Sequence, residues 1–205
     1  MKIFWKLCLL SVLLLGCGGL VKRNPKVEFH YYHLTGEWDV RVPEARGDGG
    51  GLAIFPFDAA SAIERRMLIR ISETQIEYDD YEMWAEPPQE MATRAFAEGL
   101  EKSGVFARTA SSDDLPADLF GRILTGKLER FEWDRSSEPA TAYIEARLEL
   151  RGANRGNYFW GERISAREPL AEETPAAYAE ASRKALRRLI EQTAQKLSEL
   201  PVRKK

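Results

Sequence analysis

The sequence has few of the side chains that build most metal and nucleophile sites. Two cysteines and two histidines occur in 205 residues, and Cys8 lies in an apolar N-terminal run. No cysteine pair remains beyond that run, so we expect no internal disulfide and a fold that rests on a hydrophobic core. His30 and His33 are three residues apart in an expected strand, so they point to opposite faces and cannot chelate one metal together. We expect neither a metal nor a cofactor.

Catalytic motifs and an excess of positive charge are missing too. The sequence contains no Gly-x-Ser-x-Gly elbow and no phosphate loop. The acidic residues Asp79, Asp80, Glu82 and Glu86 offer a carboxylate pair or, as the more ordinary alternative, solvated surface and turn positions. The formal net charge is −2, which does not suit a nucleic-acid partner, since that calls for a basic face. The composition therefore does not predict an enzyme.

Apolar runs long enough to cross a membrane are also absent. Leu7–Leu15 has roughly nine residues, against about 20 for a spanning helix. With Lys2 and Lys6 before it, this run is typical of a signal peptide, and "LLLGC" resembles the lipobox of bacterial lipoproteins. In this interpretation Met1–Gly16 is removed, and Cys17 becomes the acylated first residue. The alternative is an ordinary secretory signal with a stray cysteine.

The lipobox also predicts the membrane that holds the protein and the boundaries between signal peptide, tether and domain. Gly18 follows the cysteine in place of aspartate, which favours the outer membrane. Residues 17–26 then form a lipidated tether, and 27–205 form one domain. Loss of Lys2 and Lys6 with the signal turns the net charge from −2 to −4.

Alternating apolar residues predict most of the strands. A hairpin is expected over "RMLIRISETQIEYDDY", with its turn at Ser72–Gln75. The apolar parity changes between Leu128 and Phe131, which indicates a bulge, and "AYIEARLEL" alternates as expected for a sheet with one wet face. Other expected strands are Val27–Leu34, Leu52–Phe57, Val105–Thr109 and a return strand through Tyr158 and Ile164.

Two helices complete the expected fold. One follows Pro87 and Pro88, carries an apolar face and ends at Ser103-Gly104. The other begins at Thr174-Pro175, an N-cap followed by a first-turn proline. We predict the α+β class: a single domain with a mixed or antiparallel β-sheet and two main amphipathic helices packed on one face.

Several of these stretches, taken in order, resemble the ABC-type transport auxiliary lipoprotein family, the PqiC-like group. They are the lipobox, the Tyr-x-Leu strand at Tyr32–Leu34, the Trp-Ala-Glu-Pro-Pro segment at Trp84–Pro88 and the Ser-Gly-x-Phe helix end at Ser103–Phe106. "IERRMLIR" (Ile63–Arg70) only approximates the family pattern. The resemblance implies a non-catalytic outer-membrane lipoprotein that faces the periplasm and forms a homo-oligomer. Its implied partner is the MCE-domain protein of an ABC transporter that moves lipids between the membranes and supports membrane integrity.

The segment "YDDYEMWAEPPQEM" (Tyr78–Met91) is either a strand-to-helix joint or part of a ligand site, and the resemblance favours the joint, with Trp84, Pro87 and Pro88 fixing the turn. Other large aromatic residues fill the core or offer a partner surface: Phe131, Trp133, Tyr158 and Trp160. Two other functions stay open. One is an assembly lipoprotein for an outer-membrane barrel protein or lipopolysaccharide, and the other is a carrier with a phospholipid in its own cavity.

Overall fold

The computed structural model describes residues 27–42, 50–112, 120–153 and 157–200. These residues form one α+β domain of a nine-stranded mixed sheet and two helices, which confirms the predicted fold class. The strands are β1 (His30–Tyr32), β2 (Gly51–Ile54), β3 (Asp58–Ala59), β4 (Arg66–Arg70), β5 (Ile76–Trp84), β6 (Arg108–Ser111), β7 (Arg122–Asp134), β8 (Thr141–Gly152) and β9 (Tyr158–Pro169). The helices are α1 (Pro88–Ser103) and α2 (Pro175–Ser198).

Strand β7 is the centre of the sheet. Along one side it pairs in parallel with three short strands in turn: β2 at its start, β3 in its middle and β4 at its end. Along the other side it pairs antiparallel with β8, and β8 with β9. Beyond β4 the sheet continues through the antiparallel β5 to the parallel β1. Strand β7 is therefore the strand through which β8 and β9 join the strands of the N-terminal half.

The sheet follows the alternation of the sequence. On β8 the residues Ile144, Ala146, Leu148 and Leu150 are buried, whereas Arg147 and Arg151 are exposed. The β7–β8 register shifts between Leu128 and Arg130, so the predicted bulge is confirmed. This shift keeps both Leu128 and Phe131 on the buried face.

Both helices pack on that buried face. In α1 the predicted apolar residues Met91, Ala95, Phe96 and Leu100 are all buried, and Gly104 ends the helix in the left-handed conformation (φ 69°). In α2, Thr174 caps the N-terminus by accepting a hydrogen bond from the Ala177 N–H. Across the described ranges, no helix is both long and apolar enough to cross a membrane.

The core between helices and sheet is closely filled. A Cβ built on Gly99 of α1 would lie 2.7 Å from Ile190 Cγ2 of α2. A Cβ built on Gly126 of β7 would lie 2.8 Å from the Phe57 ring. Such approaches are shorter than ordinary van der Waals contact, so glycine is what lets these elements touch.

Three strand boundaries differ from the sequence prediction. Within Val27–Leu34 only His30–Tyr32 is a strand, the three residues that pair with Glu82–Trp84 of β5. The predicted strand Val105–Thr109 begins later, at Arg108, since Val105 and Phe106 are buried loop residues after α1. Pro56 suggested an edge or a bulge in the second strand, but β2 ends before it and lies between β6 and β7.

Candidate functional site

Trp84, the last residue of β5, lies at the centre of an aromatic cluster under α2. Its side chain is 1% exposed. The ring centroid lies 5.2 Å from that of Phe131, at an edge-on angle of 80°, and 5.5 Å from that of Tyr178. Tyr178 in turn stacks on Trp133 at 5.6 Å. Burial raises the pKa of the Tyr178 hydroxyl, so it stays neutral. The four rings join β5, β7 and α2 into one packed unit.

The backbone around Trp84 is held from both sides. Its N–H donates to the Arg65 carbonyl (2.6 Å), and the Ala85 N–H donates to the Tyr32 carbonyl (2.7 Å). The Arg65 guanidinium returns two hydrogen bonds, to the carbonyls of Trp84 (3.1 Å) and Ala85 (2.9 Å). The chain direction where β5 ends is thus determined by β1 and by the segment that leads into β4.

The two prolines form the start of α1. Pro87 is the N-cap residue in an extended conformation (φ −55°, ψ 132°), and Pro88 is the first helical residue. The missing N–H of Pro88 costs nothing there, because the first-turn N–H groups of a helix have no partner inside it. The Pro87 carbonyl accepts hydrogen bonds from Glu90 N (3.0 Å) and Met91 N (3.3 Å).

The acidic residues around this joint do not converge on one point. The Asp79 carboxylate accepts from the N–H groups of Tyr81 (2.9 Å) and Glu82 (3.0 Å), as in a turn. Glu82 pairs with His30, and Glu86 pairs with Arg94 and His33. The hydrogen bond from Arg94 is the main cause of a lowered pKa at Glu86. These acids therefore act as separate partners of neighbouring cations and N–H groups.

The pair between His30 and Glu82 connects β1 to β5, and it shifts the pKa of the His30 imidazole. His30 Nδ1 lies 2.9 Å from Glu82 Oε1. The hydrogen bond and charge of Glu82 raise the pKa of His30, with Glu28 adding to the effect and slight burial opposing it. Tyr32 faces the same carboxylate; burial first, and Glu82 second, raise the pKa of its hydroxyl to about 12.

The attachment of β1 is therefore expected to depend on pH. Because the folded pKa of His30 is raised, the pair contributes fully below the unfolded value of about 6.5 and is lost as the pH rises through the folded pKa. An NMR titration should give His30 a pKa above about 6.5, and Glu82→Gln should lower it toward that value. An identical His30 titration in parent and variant would contradict this assignment.

An exposed aromatic edge lies next to this pair. Among the described residues, six large apolar side chains are exposed, and four of them gather where β1 meets β5: Val27 (53%) and Phe29 (50%) just before β1, Tyr31 (58%) on β1 and Tyr81 (50%) on β5. We call these four residues the aromatic edge. The rings of Phe29 and Tyr81 lie 6.1 Å apart, and the Arg65 guanidinium lies 5.8 Å from the Tyr31 ring. Tyr32, one residue on, packs instead against the core.

The sheet face opposite the helices is a dense set of ion pairs. Glu132 is 1% exposed and receives two parallel hydrogen bonds from Arg70, at 2.7 and 2.8 Å. Asp134 is 3% exposed and accepts from Arg167 Nη1 (2.6 Å). Burial acts against ionisation of Asp134, but hydrogen bonds from Ser136 and Arg167 outweigh it, so its pKa is lowered. The positive charges of this face are thus largely matched by buried carboxylates.

A polar depression of about 380 Å³ opens on this face. Arg70, Arg130 and Arg167 line it together with Asp134 and Ser136. Arg130 Nη1 lies 3.3 Å from Glu132 Oε1, so this third guanidinium also faces a carboxylate. The depression offers donors already engaged inside the protein rather than a free cationic pocket.

The residues singled out in the sequence have different locations. Cys17 and the lipobox lie outside the described residues. Trp84, Phe131 and Trp133 are buried, Trp160 is half-buried, and Tyr158 is 62% exposed on β9. The aromatic edge was not predicted from the sequence, although the alternation of Val27, Phe29 and Tyr31 was a signal. The burial of Glu132 and Asp134 was not predicted either, and the sequence carries no comparable signal for it.

The single mixed sheet with two helices on one face is an α+β domain. In the described ranges no set of reactive side chains converges on one point. The chain belongs to the ABC-type transport auxiliary lipoprotein family, whose family model matches residues 32–194. The family predicted from the motifs is thereby confirmed.

Solved structures show the same fold. A crystal structure of a Xanthomonas campestris protein that carries the family model DUF330 is 21% identical, with a TM-score of 0.71 over 81% of this chain and 93% of that chain. The crystal structure of an uncharacterized protein, at 12% identity, gives a TM-score of 0.65 over 82% of this chain and 98% of that one. No curated protein matches the sequence.

Proposed function

We propose that this protein is the outer-membrane-anchored, non-catalytic auxiliary component of an MCE-type ABC lipid transporter. In this function Cys17 carries the acyl chains, and the folded domain contacts the MCE-domain protein from the periplasmic side, as a homo-oligomer. The observation that carries the proposal is the family match over residues 32–194, which assigns the chain to transport auxiliary lipoproteins. The lipobox at Cys17 supports the anchor, and Gly18 supports the outer membrane as its location.

Three of the four motifs of the resemblance lie in the described residues, and their structural positions suit a rigid adaptor. Tyr32 pairs in register with Trp84, so the Tyr-x-Leu strand holds the Trp-Ala-Glu-Pro-Pro joint. Ser103 and Gly104 end α1, and Phe106 is buried after it. We propose that Trp84, Pro87 and Pro88 serve as the structural joint and that partners bind elsewhere on the surface.

The packing of the core disfavours a carrier that holds a phospholipid inside the domain. A methyl group added at Gly99 would overlap Ile190, and one added at Gly126 would overlap the Phe57 ring. An acyl chain between the helices and the sheet would have to separate these contacts. Lipid movement is therefore assigned to the transporter and not to an internal cavity of this chain.

In-cell crosslinking of the tagged full-length protein, followed by mass spectrometry, tests the transport role. We expect an MCE-domain protein among the crosslinked partners. The matched control is Cys17→Ser, which removes the sulfur that would carry the acyl chains. Without those chains the protein has no stable anchor, since stable anchoring takes more than one acyl chain. This variant should leave the outer-membrane fraction and lose most of the crosslink. Recovery of an outer-membrane barrel protein without any MCE-domain protein would contradict the transport role and favour an assembly lipoprotein.

A further inference from the structure

We propose that the aromatic edge docks onto the phospholipid surface that holds the lipid anchor, so that the domain sits against the membrane through β1 and β5. The proposal rests on the anchor at Cys17, which is part of the proposed function. It adds a second contact with the membrane, formed by side chains of the folded domain. Val27, Phe29, Tyr31 and Tyr81 form that contact.

The length of chain before the domain brings this surface to the bilayer. Val27 follows Cys17 by ten residues, which span at most about 35 Å at 3.3–3.6 Å per residue. The opposite edge of the sheet, β9, is much farther along the chain and is separated from β1 by β5, β4, β7 and β8. Of the exposed apolar side chains, the four nearest the anchor in sequence or in strand pairing are those of the aromatic edge.

The side chains have the chemistry of a membrane interface. Tyrosine prefers the boundary between headgroups and acyl chains, where its apolar ring and its polar hydroxyl are both satisfied, and Phe29 and Val27 add apolar surface beside the two tyrosines. Lys22, Arg23 and Lys26 precede the edge directly, and such a basic segment is attracted to anionic headgroups. Three nearby acids are already engaged, since Asp79 accepts backbone hydrogen bonds, Glu82 pairs with His30 and Asp80 lies 3.7 Å from Arg66, and the three basic residues outnumber the remaining Glu28.

The size of the edge fits a lipid surface better than a second copy of this chain. An aromatic side chain has about 150–250 Å² of surface. Four side chains that are about half exposed therefore supply on the order of 400 Å², whereas a stable protein interface takes about 800 Å² from each partner. A small apolar patch suffices at a membrane, because the acyl chains already hold the protein there.

The test uses the full-length lipidated protein in vesicles of phosphatidylethanolamine and phosphatidylglycerol. A nitroxide label is attached to Tyr81→Cys or Tyr31→Cys, and in a matched control to Tyr158→Cys, which replaces a tyrosine of comparable exposure on β9. These positions can be labelled selectively because Cys17, the one other cysteine of the mature chain, is acylated. The measurement is the ratio of collisions with membrane-dissolved oxygen to collisions with a water-soluble relaxant.

We expect this ratio to be several-fold higher at positions 31 and 81 than at position 158. Combining Phe29→Ser with the Tyr81→Cys label should bring the ratio down toward the value at position 158, while the protein still floats with the vesicles. Equal, aqueous values at all three positions in floating protein would overturn the docking alone. Protection from both relaxants with spin–spin broadening would show a second copy on the edge and overturn it as well.

The two proposals fail in different ways. Protein that does not float with the vesicles contradicts the anchor, and membrane docking falls with it. The absence of an MCE-domain protein among crosslinked partners contradicts the transport role but leaves the collision ratios unaffected.

Discussion

Replacing Trp84 with alanine is expected to lower the free energy of unfolding by about 3–5 kcal/mol, the usual cost of truncating a buried aromatic residue. The side chain is 1% exposed and touches the rings of Phe131 and Tyr178. The cavity would open where β5, β7 and α2 meet, so the surrounding structure has little freedom to collapse into it. For a domain of this size the melting temperature should fall by roughly 6–20 °C.

Two matched variants make this result specific. Trp84→Phe keeps most of the apolar volume and should lose much less stability. Trp160→Ala on β9 removes a tryptophan that is only half-buried and should also cost less. Denaturant unfolding of all three variants gives the comparison. If Trp84→Ala melts like the parent but loses its crosslinked partner, Trp84 is an interface residue and the structural joint is wrong.

Arg70→Met is expected to have the second large effect, a loss of about 3 kcal/mol. Glu132 is 1% exposed, and removal of its bidentate partner leaves a buried carboxylate with only the 3.3 Å contact from Arg130. Breaking a buried ion pair by removing one partner typically costs 3–5 kcal/mol. The substitution also removes the donor to the Ser72 and Glu73 carbonyls in the β4–β5 turn.

The double variant Arg70→Met/Glu132→Leu separates the pair from the loss of packing. Replacing both charges with apolar groups removes the uncompensated carboxylate, so stability should recover above that of the single variant. Arg66→Met is the matched surface control. Its partners Glu64 and Asp80 have exposed side chains, so we expect a change below about 1 kcal/mol. Equal denaturation midpoints for Arg70→Met and Arg66→Met would contradict the buried pair.

The elements that the sequence predicted well depend on local periodicity. Residues such as Met91, Ala95 and Leu100 repeat at helical spacing whatever lies opposite them, and the alternation on β8 works in the same way. The bulge after Leu128 was visible because it changes the parity of the apolar residues. These signals need no knowledge of distant segments.

The parts that could not be predicted depend on pairing over long distances. Leu52 pairs with Arg122, and nothing local in β2 specifies that partner. Glu132 and Asp134 look like residues of a wet face, but in the fold they are buried and pair with Arg70 and Arg167 from other strands. The aromatic edge is the reverse case. Its side chains predicted a strand over Val27–Leu34, but only His30–Tyr32 pairs, and Phe29 and Tyr31 lie exposed at an edge that the described residues leave open.

The central position of β7 has a consequence for the order in which the molecule is made. Whether it emerges from a ribosome or from a translocation channel, the chain appears N-terminus first, so β2, β3 and β4 exist before Arg122–Asp134 does. Until those 13 residues arrive, β3 has no partner strand, and β2 and β4 have only their other neighbours, β6 and β5. Sheets built from such distant pairings fold slowly and expose unpaired strands meanwhile. For this lipoprotein, the β1–β5–β4 group and the β2–β6 pair cannot join into one sheet until a single late strand arrives.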